Sequence, residues 1–533
     1  MRLRIVRICL AAALLACSFA EAQEAASAFV PAAQCIACHA QLTAPTGEDI
    51  SIGFDWRATM MANSARDPYW HAAVRREVMD HPAAQAAIED KCSTCHMPMA
   101  RFDAVAAGGQ GEVFANLARA APQHELAADG VSCTVCHQIS AENLGVHASF
   151  DGGFAIEAAG DSRVAFGPHD VDAGRQALMH SAATFRPSAG THIQRSELCA
   201  TCHTLFTSAI DEAGQAIGRL PEQVPYQEWL HSDYRATNSC QSCHMPEVAA
   251  ETPISSVLGQ PRPNVSQHTF LGANAFMLDI LRRNRGELGV TAMPLELEAA
   301  AAETRRFLGT RAATLAISAA QRTGSGVELV LEIASTTGHK LPTAYPSRRA
   351  WLHVVVRDAS GRTVFESGAV RPDGSIAGND NDADAERFEP HYEIVTQADQ
   401  VQIYEAIMVD SRDAVTTGLL RGVRFVKDNR LLPRGFDKTT AEADVAVRGS
   451  AIGDADFLGG SDRVRYRIVL GAGEVAPLTV EAELLYQSIA YRWAENLRGY
   501  TAEETQKFGR YYAENAAASA TRIATAAATI PAR

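Results

Sequence analysis

The chain has 533 residues, a formal charge of −14 at pH 7 and 47% hydrophobic residues. This composition is typical of a folded protein with two or three domains and excludes an intrinsically disordered chain. The acidic balance argues against nucleic-acid binding and favours protein partners with basic surfaces.

Residues 1–22 have the pattern of a secretory signal peptide. Three arginines lie among the first seven residues, the apolar run Ile8–Ala16 follows, and Ala20-Glu21-Ala22 forms a small-residue cleavage site. Leu14-Leu15-Ala16-Cys17 also resembles a lipobox, and lipidation of Cys17 would anchor the chain to a membrane. We therefore expect an exported protein, periplasmic or at the cell surface, that is either soluble or membrane-associated through Cys17.

Ten of the twelve cysteines form five C-x-x-C pairs, each followed at once by a histidine. This is the attachment signature of c-type haem, in which two thioethers hold the macrocycle and the adjacent histidine binds the iron. Disulfides and zinc sites also use paired cysteines, but neither explains a histidine after every pair. We therefore predict five covalently bound haems c. The motifs are Cys35, Cys38 and His39; Cys92, Cys95 and His96; Cys133, Cys136 and His137; Cys199, Cys202 and His203; and Cys240, Cys243 and His244.

The five motifs place a pentahaem cytochrome c domain at residues 23–250. Short helical patterns such as Asp67–Met79 and Gly/Ala/Pro-rich connections predict that this domain is mostly helix and loop. Residues 251–314 are predicted to form a linker and a helical segment, with helical character at Leu295–Phe307.

Apolar and polar residues alternate after residue 315, and β-branched residues become frequent. This pattern predicts a β-sandwich-like domain at residues 315–488. The Ala-rich residues 489–533 are predicted to form a C-terminal helical tail, so the chain is expected to be multidomain. The predicted strands are Val327–Ile333, Trp351–Arg357, Val364–Ser367, Val401–Met408, Val464–Leu470 and Leu478–Leu485.

The second axial ligand of each iron bears on function, because an iron that only transfers electrons usually keeps two protein ligands. Three histidines precede a haem motif by seven or nine residues, and two follow the haem region, one of them in a Gly/Pro-containing loop. These candidate distal ligands are His124, His192, His231, His268 and His339. Met60 and Met61 compete for one iron, and the reserve histidines are His71, His81, His147, His169 and His180.

Several segments resemble a known family. They are Gly130–His137, Ser196–His203, Ser239–Pro246 and the stretch Gly338–Arg349, GHKLPTAYPSRR. The first three resemble multihaem cytochromes of the c-552/4 type, which are related to the tetrahaem electron carrier of ammonia oxidation. The fourth resembles a β-domain that follows such haem domains in larger members. The resemblance implies haem binding, electron transfer and an exported location, but no particular substrate.

Two functions remain open. The first is electron transfer through a chain of bis-His haems to redox partner proteins, with no catalytic residue. The alternative is a multihaem oxidoreductase that acts on a small nitrogen or sulfur compound at one open iron. Arg348 and Arg349 form the basic cluster nearest to His339, and Lys340 is expected to face solvent. The β-domain is also a candidate surface for a partner or for oligomer formation.

Overall fold

The computed structural model describes residues 27–156, 163–324, 326–471 and 476–532. The predicted signal peptide, with Cys17, lies outside the described residues. Within those ranges, no helix combines the length and the apolar character needed to cross a bilayer.

Short helices dominate the region that carries the haem motifs. The predicted helix at Asp67–Met79 is confirmed: it begins at Pro68, and the Asp67 carboxylate caps it by accepting the N–H groups of Tyr69 at 2.8 Å and Trp70 at 3.3 Å. The helices are α1 Ala32–Ile36, α2 Ile52–Arg57, α3 Pro68–Asp80, α4 Gln85–His96, α5 Pro98–Ala106, α6 Phe114–Leu117, α7 His124–Ala128, α8 Cys133–Cys136, α9 Ala173–Ala183, α10 Ser196–Ala200, α11 Pro225–Leu230 and α12 Cys240–His244.

Two small strand pairs also lie in this region, and the sequence pattern did not predict them. The strands are β1 Arg163–Gly167, β2 Phe185–Ala189, β3 Leu205–Ile210 and β4 Ala216–Gln223. β1 and β2 pair in parallel, whereas β3 and β4 form an antiparallel hairpin. Each pair is short and partly exposed, so the alternation that marks a half-buried strand is weak.

The segment after the last motif is more regular than a linker. It contains the strands β5 Thr252–Pro253 and β6 Pro261–Arg262 and the helices α13 Ala275–Arg283, α14 Arg285–Leu288 and α15 Pro294–Arg311. α15 confirms the helix predicted at Leu295–Phe307. The apolar face of α13 packs against α15 and buries Phe276, Met277, Leu278, Ile280 and Leu281.

Two sheets, in which most neighbouring strands are antiparallel, then pack around one core. The four-stranded sheet has the order β11-β15-β8-β7, and the larger sheet has the order β13-β12-β9-β16-β17 with β10 and β14 paired at its side. Alternate residues of both sheets, including Leu331, Val354, Tyr466 and Leu484, are fully buried in a shared core. The strands and a short helix between them are β7 Ala313–Arg322, β8 Gly326–Ser335, β9 Arg349–Arg357, β10 Thr363–Ser367, α16 Asp380–Ala383, β11 Ile394–Val395, β12 Ile403–Val409, β13 Val415–Thr416, β14 Arg424–Asp428, β15 Ser461–Val469 and β16 Leu478–Gln487.

The predicted helical tail is only partly correct. α17 Tyr491–Leu497 and α18 Glu503–Asn515 are helices, but the chain ends in an eleven-residue strand, β17 Ala520–Ile530. β17 pairs antiparallel with β16 along its length. Alanine favours helices locally. Here the backbone of β17 forms hydrogen bonds with β16, and its small side chains fit at this edge of the sheet. Pairing with β16 therefore overrides the local helical preference.

Candidate haem-binding sites

Each C-x-x-C-H motif forms a helical turn. Hydrogen bonds join the His39 amide to the Cys35 carbonyl and the His203 amide to the Cys199 carbonyl, both at 2.9 Å. The pair Cys92 and Cys95 lies in the last turn of α4. Positions i, i+3 and i+4 share one face of a helix, so this turn places both sulfurs and the imidazole on the same side. All ten motif thiols are free of disulfides, as thioether attachment requires.

Four of the five motif histidines are oriented by backbone carbonyls. Nδ1 donates to the carbonyls of Ile254 for His39 at 2.6 Å, Ser64 for His96 at 3.0 Å, Phe166 for His137 at 2.6 Å, and Leu271 for His244. This arrangement fixes the tautomer and leaves the Nε2 lone pair available for a metal. The residues therefore fit the iron ligation that the sequence predicted.

Burial keeps these imidazoles neutral. Desolvation lowers the pKa of His96 and that of His203 to about 4 each, and it also lowers the pKa of His39, His137 and His244. A neutral imidazole is the form that binds a metal. Burial likewise raises the pKa of the Cys136 thiol to about 12.

All five motifs line one connected cavity of about 2030 Å³. A pocket for one drug-sized ligand has a volume of roughly 300–1,000 Å³. The cavity therefore exceeds the space that one small molecule needs, and its size fits several packed macrocycles.

Two of the predicted distal histidines lie opposite motif histidines. His268 faces His137, and His339 faces His244; in both pairs the ring centres are 6.2 Å apart, with interplanar angles of 15° and 12°. Two imidazoles bound on opposite sides of one metal, with bonds of about 2 Å, have ring centres roughly 6 Å apart. In His268 and His339, Nδ1 bonds to a carbonyl and Nε2 remains available. Their geometry fits a pair of axial ligands.

The other three predicted distal ligands lie outside the cavity lining. Nδ1 donates to the Asn116 carbonyl in His124 and to the Gln227 carbonyl in His231, both at 2.8 Å, which leaves Nε2 available. His192 differs, because its Nε2 lies 2.8 Å from the Ile139 carbonyl. In that tautomer Nδ1 is the nitrogen with a free lone pair.

The alternative ligands are placed as follows. Met60 and Met61 both line the cavity, as does His169. The Trp70 ring stacks on the His96 ring at 4.3 Å, and the neighbouring His71 directs Nε2 at the Ala65 carbonyl at 2.8 Å.

The pKa shifts of the thiols indicate which motifs are neighbours. Hydrogen bonding between the two thiols is the largest cause of the pKa shift of Cys35 beside Cys133, of Cys95 beside Cys202 and of Cys199 beside Cys240. The fourth motif also lies close to the third, because the charge on Cys202 raises the pKa of Cys136. The five motifs thus form one connected series in which the fourth lies beside the second, third and fifth.

Sequence reasoning missed a carboxyl group in the cavity wall. Glu222, at the end of β4, is buried and accepts a hydrogen bond from the Thr207 hydroxyl. Burial, reinforced by the charges of Glu77 and Asp151, raises its pKa to about 7, although the Thr207 hydrogen bond and the charge of Lys91 act in the opposite direction. Because β4 was not predicted, no sequence signal placed Glu222 near the haem motifs.

The basic residues beside His339 are buried more deeply than expected. Lys340 was expected to face solvent, but it is 0% exposed and forms a 2.7 Å ion pair with Asp428. Arg349 is also buried, in a bidentate pair with Asp382. Arg348 alone of the predicted basic cluster lines the cavity.

A cluster of one histidine and two aspartates lies between the two large sheets. His391, Asp454 and Asp462 come close enough together for a metal site and are buried. However, Nδ1 of His391 accepts N–H groups from Gln402 and Asn429, so the proton is on Nε2, which donates to Asp454. With both ring nitrogens occupied, this cluster is a structural hydrogen-bond network.

A comparison with solved structures finds a chain of similar fold. It is a penta-haem cytochrome c552 from Thermochromatium tepidum, with a TM-score of 0.55 and 16% sequence identity over 94% of this chain and 99% of that chain. The fold is that of a multihaem cytochrome. No family model and no curated protein matches the sequence. At 16% identity, the likeness to the multihaem cytochrome concerns the fold alone.

Proposed function

We propose that the chain is an exported pentahaem c-type cytochrome that transfers electrons between protein partners. The observation that carries this proposal is the arrangement of five C-x-x-C-H turns around one cavity, with four of the five neutral imidazoles held by backbone carbonyls. Bound haem supplies one-electron redox chemistry.

The chain's own residues hold and tune the haems. Ten cysteine sulfurs would attach them, and the five motif histidines would bind the irons. We assign His268 and His339 as second ligands at the third and fifth motifs, on the basis of their ring geometry. His124, His192 and His231 remain the proposed ligands of the other three irons.

The mass and the spectrum of the mature protein test this proposal. We expect the mass of the chain plus five haems, a reduced-minus-oxidised spectrum typical of haem c, and five low-spin irons that do not bind carbon monoxide. Replacing Cys240 and Cys243 by Ala is expected to remove one haem mass. A colourless protein with the mass of the bare chain would contradict the proposal.

The alternative remains an oxidoreductase with one open iron. The observation that favours it is the setting of His203, whose pKa is lowered by burial and, to a smaller extent, by the charges of His244 and Arg348, while Tyr345 lines the same cavity. A guanidinium and a phenol beside an iron can stabilise charge and supply protons. One high-spin iron that binds carbon monoxide in the wild-type protein would favour this function.

The net charge of −14 supports donor and acceptor proteins with basic faces as partners. A periplasmic or cell-surface location rests on the signal pattern of residues 1–22, and membrane attachment would require lipidation of Cys17.

A further inference from the structure

The loop between β8 and β9 brings His339 to the haem cavity. Its ring lies parallel to that of His244, and its Nδ1 donates to the Lys340 carbonyl at 2.9 Å. Reciprocal backbone hydrogen bonds of 2.8 and 2.9 Å join Leu341 to Leu431. The β-domain thus supports the segment that carries the histidine.

Four buried charged side chains meet beneath this loop. The Lys340 ammonium donates to Asp428 at 2.7 Å, and Arg430 binds Asp428 through two N–H groups at 2.8 and 2.7 Å. Arg430 also pairs with Glu228 at 2.9 Å. The Glu228 carboxylate in turn accepts the Lys340 backbone N–H at 3.1 Å and the Thr343 hydroxyl. We call Glu228, Lys340, Asp428 and Arg430 the charged quartet.

The charged quartet joins separate parts of the molecule. Glu228 comes from α11 in the haem region, whereas Asp428 ends β14 in the β-domain. The side-chain exposures are 0% for Glu228 and Lys340, 3% for Asp428 and 8% for Arg430. Two cations balance two anions, so each charge stays compensated only while all four are in place.

Each carboxylate of the charged quartet pairs with a buried cation: Arg430 pairs with Glu228, and both Lys340 and Arg430 pair with Asp428. Burial opposes ionisation of Asp428, but Arg430 and Lys340 hold its pKa well below the usual range. Buried ion pairs add little stability compared with apolar packing, and their best-attested use is to specify one arrangement. The arrangement specified here is that of the loop carrying His339.

We propose that Glu228 and Asp428 are positioning residues that hold His339 on the iron bound by His244, so that the β-domain supplies a haem ligand. This inference rests on the proposed function, because it requires a haem at the fifth motif. Neither carboxylate touches the haem ligands; both act through the loop.

The test compares His339→Ala with Glu228→Gln in the full-length holoprotein. His339→Ala is expected to convert one of five irons to a high-spin form that binds carbon monoxide. Glu228→Gln keeps the shape of the side chain but loses its charge, so we expect the same iron to show an about tenfold larger fraction of the carbon monoxide-binding form than in the wild type. Electron paramagnetic resonance and carbon monoxide difference spectra measure both changes.

Asp382→Asn is the matched control. It breaks the buried Arg349–Asp382 pair elsewhere in the β-domain, where both side chains are 1% exposed. We expect lower stability with five low-spin irons retained. If Glu228→Gln gives the same spectrum as this control, the positioning role is wrong.

A second variant covers the case in which Glu228→Gln does not fold. Thr343→Val removes the hydroxyl that bonds Glu228 and leaves every charge in place. A smaller rise in carbon monoxide binding at the same iron would support the inference, and unchanged binding would overturn it.

The mass of His339→Ala separates the two proposals. Five haem masses with five low-spin irons would overturn the role of His339 and leave the pentahaem function intact. Fewer than five haem masses in the wild type would contradict the function itself.

Discussion

At the scale of residues, the two nitrogens of each imidazole have different tasks. In His39, His96, His137 and His244, Nδ1 bonds to a carbonyl and Nε2 is available for iron. The motif spacing predicted that these imidazoles lie beside the sulfurs, because the helical turn alone brings them there, and their role as iron ligands remains a proposal. The spacing could not predict which distal histidine faces which motif, since the pairing depends on packing of distant segments such as the His339 loop.

Glu222 should make haem reduction depend on pH. Its pKa of about 7 comes from burial, reinforced by Glu77 and Asp151 and opposed by Lys91; its charge in turn raises the pKa of the Tyr345 phenol. Adding an electron nearby favours the protonated carboxyl, so midpoint potentials should fall as pH rises through 7. Full coupling of one proton to one electron would give about 59 mV per pH unit, and we expect a smaller slope.

Potentiometric titrations between pH 5.5 and 8.5, an interval of roughly 1.5 pH units on either side of the Glu222 pKa, measure this effect. Glu222→Gln should flatten the slope, whereas the exposed-site control Glu112→Gln should retain it. The raised pKa of Glu222 also makes the stability of the folded protein depend on pH. Because folding favours the protonated carboxyl, the stabilisation from Glu222 is present below its unfolded pKa of about 4.5 and is lost as pH rises through 7. Equal slopes in the wild type and Glu222→Gln would refute the assignment.

At the scale of elements, alternation predicted the central strands well. All six predicted strands are confirmed, with boundaries close to those of β8, β9, β10, β12, β15 and β16. β17 was predicted as helix because its sequence, ATRIATAAATI, is rich in Ala, and only its pairing with β16 reveals it as a strand. The prediction from local helix preference was therefore wrong for this segment, because its structure depends on pairing with a partner strand.

Ile523 tests the assignment of β17. Its side chain is 2% exposed and lies in the core shared by both sheets. Ile523→Ala is expected to lower the free energy of unfolding of the protein by about 2–4 kcal/mol, because it removes buried methyl groups and leaves a cavity. Thr525→Ala, at an exposed position of the same strand, should change it by less than about 0.5 kcal/mol. Denaturant titrations provide the measurement, and equal effects of the two changes would argue against this strand register.

At the scale of the whole molecule, α3 joins the haem region to the β-domain. The Glu77 carboxylate accepts the Leu419 N–H at 2.9 Å and pairs with Arg76, whose guanidinium donates to the Thr417 hydroxyl at 2.9 Å. Arg75 pairs with Glu504 of α18 at 2.7 Å. These contacts predict that the two regions unfold together.

Glu77→Ala should weaken this coupling. It leaves the buried Arg76 without its carboxylate partner, which we expect to cost about 3 kcal/mol. Calorimetry is expected to show one thermal transition for the wild type and a lower, broadened or divided transition for the variant. Glu514→Ala, at an exposed site, is the control. An unchanged transition in Glu77→Ala would show that α3 does not couple the regions.

The position of β17 has a consequence for maturation. All five attachment motifs precede residue 245, whereas the strand that completes the larger sheet comprises residues 520–530. Part of the cavity wall, including His339, Leu419 and Tyr486, belongs to the later half of the chain. During synthesis the thiols therefore emerge long before that wall can close, so the proposed haem attachment can take place while the motif cysteines are more accessible than in the finished protein.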